Sequence, residues 1–177
     1  MVKRKHRPLH PLVKALIGLV ILAILGFFAY SLQQYYGHNT ESGVMICDTN
    51  GQDCQLSVHV HANVDATVCG EKLRLPLETG GVDGPHTHKE RNRIHLETVL
   101  PFDPAAQRIT DTTKMQLGTF FDVMGVRLTE TCIADRCNGD PCNGKPGMLA
   151  LTIDGQQVQE IRAHVWTDEE TMTLTFQ

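Results

Sequence analysis

"SVHVHANVDA", residues 57–66, decides how this chain folds. Val58, Val60, Ala62 and Val64 take one face, and His59 and His61 take the other. A period of two is the pattern of a β-strand with one side buried. The pattern runs on to Val68. The spacing also carries chemistry, because both rings of a His-x-His strand leave on the same side and can grip one ion together. The spacing returns at His86 and His88, and a variant of it at His95 and Glu97. Nine histidines scattered along 177 residues would give on the order of half of one such pair by chance. Two pairs and a His-x-Glu are therefore an excess.

Downstream, "RIHLETVL" (93–100) alternates again, with Ile94 and Leu96 on one face and His95 and Glu97 on the other. Between these strands, residues 69–72 read as a turn into a second strand, "LRLPL" (73–77). A loop rich in turn formers, "ETGGVDGPHTHKERN" (78–92), follows. Its glycines and Pro85 allow a tight course, and it is expected to fold His86 and His88 over the strands as a lid. The period then changes. Leu117, Phe120, Phe121 and Met124 stand at i, i+3, i+4 and i+7, the stripe of a short helix that Gly125 is placed to end. "LALTIDG" (149–155) and "AHVWTDEETMTLTF" (163–176) read as closing strands. Strands, one packed helix, then strands make an α+β domain, mostly β. A β-grasp-like arrangement fits this order.

The N-terminal part is of another kind. Residues 1–14 hold five basic residues and no acid, and "ALIGLVILAILGFFAYSL" (15–32) has no charge. That length predicts a transmembrane helix, and the basic flank keeps the N-terminus cytoplasmic. A cleaved signal peptide is the competing reading, with Ala29-Tyr30-Ser31 as a weak cleavage site. The expected organisation is a basic cytoplasmic tail (1–14), a single-pass anchor (15–32), a linker (33–44) and an extracytoplasmic domain (45–177). The linker includes Tyr35 and Tyr36, which with Tyr30 suit a membrane interface.

From Val44 onward there are 11 Lys and Arg against 19 Asp and Glu, a net of −8. This balance excludes nucleic acid and anionic lipid as partners of the outer domain and is compatible with cations. No protein partner is legible. All six cysteines, Cys47, Cys54, Cys69, Cys132, Cys137 and Cys142, fall in this part. An even count beyond a membrane anchor reads as a disulfide framework. Fifteen pairings are open. Short loops favour Cys47–Cys54 and a bridge within 132–142. A thiolate metal site in "CIADRCNGDPCNGKPG" (132–147) is the alternative, but the cysteine spacing does not match zinc-knuckle patterns.

Imidazoles with a carboxylate suit copper or zinc outside a membrane better than calcium or magnesium. The candidate ligands are His59, His61, His86, His88, His95 and Glu97, with Glu97 either ligating or orienting a ring. His164 is a further candidate. Six donors exceed the four of one tetrahedral ion, so either some orient the others or two ions bind. No phosphate-binding glycine loop, serine elbow or C-x-x-C is present.

With "VCGEKLRLPLETG", "GPHTHKERNRIH", "LGTFFDVMGVRLTETCI" and "CNGDPCNGKPG", the chain resembles a group of short bacterial proteins over most of residues 55–177. Each has one N-terminal membrane helix and an outer domain with an HTH and IH signature. The resemblance implies that this architecture recurs, and it transfers no catalytic role to any residue. The expected function is capture, buffering or delivery of copper or zinc. The alternatives are a hydrolase or oxygenase on the same metal, with Glu97 or Glu90 as base, and a disulfide-stapled interaction domain without metal.

Overall fold

The computed structural model describes residues 11–38 and 43–177. Residues 1–10 of the basic tail and 39–42 of the linker lie outside it. The chain divides into two compact units, the first ending at Glu41 and the second running from Ser42 to Gln177.

In the first unit, α1 (Pro11–His38) encloses the uncharged run. Its apolar side chains from Leu16 to Phe28 are exposed at consecutive positions, so no side of the helix is packed. Among the described residues, no helix is long and apolar enough to cross a membrane.

The second unit is mostly β. A short β1 (Met45–Cys47) leads into the long β2 (Cys54–Val68), and β3 (Glu71–Lys72) turns back on it. β4 (Arg93–Asp103) and β5 (Arg108–Ile109) precede a 3-10 turn (Thr113–Met115) and α2 (Leu117–Val123). Two small hairpins follow, β6 (Cys132–Ile133) with β7 (Arg136–Cys137), and β8 (Pro141–Cys142) with β9 (Lys145–Pro146). The last strands are β10 (Leu149–Ile153), β11 (Gln156–Val158) and β12 (Glu170–Phe176). The main sheet runs β11-β10-β12-β2-β4-β5, with β1 and β3 also on β2. β12 lies parallel to β2, and the other pairs are antiparallel.

Alternation works as the sequence predicts. Ala62 and Val64 of β2, Ile94 and Leu96 of β4, and Met172, Leu174 and Phe176 of β12 are fully buried on one face. α2 covers that face with Leu117, Phe120 and Phe121, each also fully buried, and Trp166 joins them. Burying a large apolar side chain is worth about 1.5–3 kcal/mol, so this one layer holds the sheet's curvature. Gly125 (φ 65°) follows the helix in the left-handed conformation that ends it. Asp154 and Gly155 both have positive φ, which closes the β10–β11 hairpin.

Two expected strands differ. "LRLPL" stops pairing after Leu73, whose N–H donates to the Ala66 carbonyl; Pro76 has no N–H to extend a ladder. The strand expected from residue 163 starts only at Glu170. The segment before it turns inward to bury Trp166, whose backbone N–H donates to the Met115 carbonyl.

Three disulfides staple the second unit: Cys47–Cys54, Cys132–Cys137 and Cys69–Cys142. The two short-loop pairings match expectation. No free cysteine remains among the described residues, so the thiolate reading of the 132–147 loop falls.

Candidate metal centre

The register of β2 and β4 builds the site. His59 pairs across the strands with Glu97, and His61 with His95, on the face away from the core. The third row is not a lid. His86 forms an isolated bridge with His95, each N–H donating to the other's carbonyl at 2.9 Å. His61, His95 and His86 therefore stand side by side across three extended segments. Directly opposed residues in neighbouring strands come within about 4.5–5.5 Å of each other.

Gly80 makes that placement possible. Its φ is +101°, and a Cβ there would lie 2.8 Å from the His86 Cβ and from the Pro85 carbonyl oxygen. Thr87, also buried, ties the loop down by donating to the Pro76 carbonyl at 2.9 Å.

The five rings form one continuous cluster. Ring centres are 4.6 Å apart for His59 and His61, 4.5 Å for His61 and His95, and 4.3 Å for His88 and His95. His86 lies 4.8 Å from His88 and 5.9 Å from His95. Two imidazoles on one tetrahedral ion, with metal–nitrogen distances near 2.0–2.1 Å, have ring centres about 5 Å apart. Packed aromatic rings stand at similar distances, so convergence of ligand atoms, not ring spacing, decides which of them share a point. One ligand atom from each of His59, His61 and His95 lies within 4.8 Å of the others.

Protonation agrees with this use. Burial, then the neighbouring His61, His88 and His86, pushes His95 down to about 4. Burial and the proximity of His59 also lower His61. Both rings are thus neutral at pH 7 and keep a lone pair for an ion. His59 Nε2 and His61 Nε2 stand 3.1 Å apart, close enough that one ring proton lies between them. An ion bound there takes the place of that proton. His86 Nδ1 donates to the Gly84 carbonyl at 2.9 Å, because a carbonyl only accepts. Its Nε2 is therefore the nitrogen that carries the lone pair. His95 Nε2 is buried and has no hydrogen-bond partner.

The remaining candidates sit differently. Glu97 is exposed opposite His59 and is not among the atoms that converge. His164 Nε2 instead donates to the Glu170 carboxylate at 2.8 Å, and both side chains are mostly buried. Three acids come closer than the spacing suggested. Glu90 Oε2 is 3.7 Å from His95 Nε2. Asp168 and Glu169 lie 3.8 and 3.9 Å from His61 Nδ1, and the Asp168 carboxylate accepts the His61 backbone N–H at 2.8 Å. The signal for Asp168 and Glu169 was the acidic run ahead of β12, but its position follows from the parallel β12–β2 pairing, which no local pattern states.

The clefts that residues 51–55 form with 101–110, and 68–73 with 134–143, contain none of these histidines. No family model, curated protein or solved structure matches this chain.

Proposed function

We propose that this protein is a single-pass, membrane-anchored domain that holds copper or zinc outside the cell membrane for capture, buffering or delivery. The observation that carries this reading is the convergence of His59, His61 and His95 beside a buried, unpartnered imidazole nitrogen. Burying a polar atom without a partner costs about 1–3 kcal/mol, and an ion recovers that cost. With every described cysteine in a disulfide, the donors are imidazole and carboxylate. That set suits divalent copper or zinc better than a thiolate-seeking ion.

The anchor rests on the uncharged run 15–32 and its basic flank, and on the all-round apolar surface of α1. A helix apolar on every side belongs in a protein interior or a bilayer. The β-grasp-like reading rests on a sheet whose central pair is β2 with a parallel β12.

One feature supports an enzyme instead. Three convergent imidazoles leave a fourth position for water, as catalytic zinc sites do.

The test is elemental analysis of the untagged protein from an oxidising compartment, beside a His59→Ala/His61→Ala variant. Stoichiometric copper or zinc that the variant loses supports the reading. If the protein carries no metal and takes up none from added copper or zinc, the disulfide-stapled interaction domain replaces it.

A further inference from the structure

Building on that metal-binding reading, we propose that His61, Asp168 and Glu169 form an outer ligand set through which an ion enters and leaves the inner set of His59, His61 and His95. Three observations carry this.

The first is a shared member. Among the described residues, two groups bring one ligand atom from each of three side chains within 4.8 Å of one another: His59 with His61 and His95, and His61 with Asp168 and Glu169. His61 belongs to both. The second is direction. His61 Nε2 stands 3.1 Å from His59 Nε2, whereas its Nδ1 lies 3.8 Å from Asp168 Oδ1 and 3.9 Å from Glu169 Oε1. Two donors on one tetrahedral ion stand roughly 3.3 Å apart, and the exposed carboxylates can close the remainder. The third is placement. The Glu169 backbone N–H donates to the His61 carbonyl at 2.6 Å, where β12 comes in beside β2. Each carboxylate then accepts an orienting hydrogen bond, Asp168 from the His61 backbone N–H at 2.8 Å and Glu169 from Arg93 Nη2 at 2.7 Å. Ligating carboxylates are held in this way, and an oxygen that accepts one hydrogen bond keeps a lone pair for an ion. Arg93 offsets only one of the two negative charges.

Exposure sets the order. The Asp168 and Glu169 side chains are 55% and 59% exposed, against 22% for His61 and 11% for His95. An ion from solution therefore meets the carboxylates first. It moves inward by exchanging two carboxylate oxygens for the His59 and His95 nitrogens, with His61 binding first through Nδ1 and then through Nε2. The ring proton between His59 and His61 leaves to solvent. Release runs the same exchange backwards. Carboxylate suits copper and zinc less well than imidazole, so the outer set holds the ion only in passing.

The test uses the full chain in detergent, untagged, with His6→Ala, His10→Ala and His38→Ala removing the remaining histidines of the N-terminal part. Uptake from zinc chloride and release to a fluorescent zinc chelator are timed by stopped flow. The salt is about 1 M potassium nitrate, where a Debye length near 3 Å screens remote charge. In Asp168→Asn/Glu169→Gln, which keeps the side-chain shapes, uptake and release should both slow on the order of 10-fold. A second measurement isolates the outer set. His59→Ala/His95→Gln should retain one weakly held zinc ion by equilibrium dialysis, and lose it when Asp168→Asn/Glu169→Gln is added. Unchanged rates overturn the proposal, as does slower uptake with faster release, which makes the acids supports of a single set. So does a His59→Ala/His95→Gln chain that holds no ion, or one that keeps it without the acids. Zero uptake by the parent chain sinks the metal-binding reading itself.

Discussion

The histidine cluster and the 132–147 cysteine loop are the two regions where chemistry-bearing residues are densest, and they use them in opposite ways. In the loop, Cys132 bonds Cys137, and Cys142 reaches back to Cys69. Every sulfur is spent in a covalent bond. In the cluster the rings keep their nitrogens uncommitted to any covalent bond: His95 Nε2 is buried without a hydrogen-bond partner, and burial lowers His95 and His61 toward the neutral form. A ligand set consumed by the fold is a staple. The cluster is assembled by the fold but not closed by it, which is what the proposed function builds on.

This contrast makes separable predictions. The largest effect is expected in the cluster: His59→Ala/His61→Ala should abolish binding at the β2 pair, read by dialysis, with little change in thermal midpoint of the metal-free protein. A large drop in that midpoint would make these rings structural and erase the contrast. On the other side, Cys69→Ser/Cys142→Ser opens a bridge of separation 73 and should cost about 4 kcal/mol in urea unfolding. The bridge between Cys132 and Cys137, of separation 5, should cost only about 2 kcal/mol. Neither should change metal affinity at temperatures where the variant is folded. If either does, the loop belongs to the metal centre.

Gly80→Ala sharpens the comparison from within the cluster. The left-handed backbone and the close Cβ approach to His86 should cost about 1–3 kcal/mol. Metal uptake should fall less in this variant than in His59→Ala/His61→Ala, read by the same dialysis, because Gly80 positions the loop and not the β2 pair.

The smallest effect concerns pH. His95 stands near 4 in the folded chain against 6.5 for an ordinary histidine, so the unfolded chain binds the extra proton first. Metal-free stability should be level above about pH 6.5 and decline as pH falls from there toward about 4. His61, also lowered, adds in the same direction. Urea midpoints across that window should fall less steeply in His95→Gln, and equal slopes would remove the buried ring from the account.

What the sequence disclosed follows the reach of each signal. The faces of β2 and β4, the α2 stripe and the Cys47–Cys54 bridge were legible because residues two to seven apart set them. The row of His61, His95 and His86 was half legible: each spacing assigns a face, but only the register of the loop on β4 makes the third member a neighbour and not a lid. Cys69–Cys142, Asp168 and Glu169 were not legible. Each depends on segments about 70 to 110 residues apart meeting through the β12–β2 pairing. His164 misled because its flanking pattern looked like a strand, whereas burying Trp166 turned that segment and gave the ring to Glu170.

The parallel pairing of β12 with β2 sets an order of events during synthesis. The partner of residues 62–68 is residues 170–176, so the centre of the sheet stays open until the ribosome has released nearly the whole domain. The β2–β4 ladder joins residues 30 to 48 apart in the chain, less than half the separation of the β12–β2 pairing, so it can form first. The histidine rings of β2 and β4 can therefore meet before the hydrophobic layer beneath them is sealed. Under the proposed function, ions reaching a nascent chain would encounter half-made ligand sets on an unfinished sheet, which gives the chain reason to meet metal only after its last strand has docked.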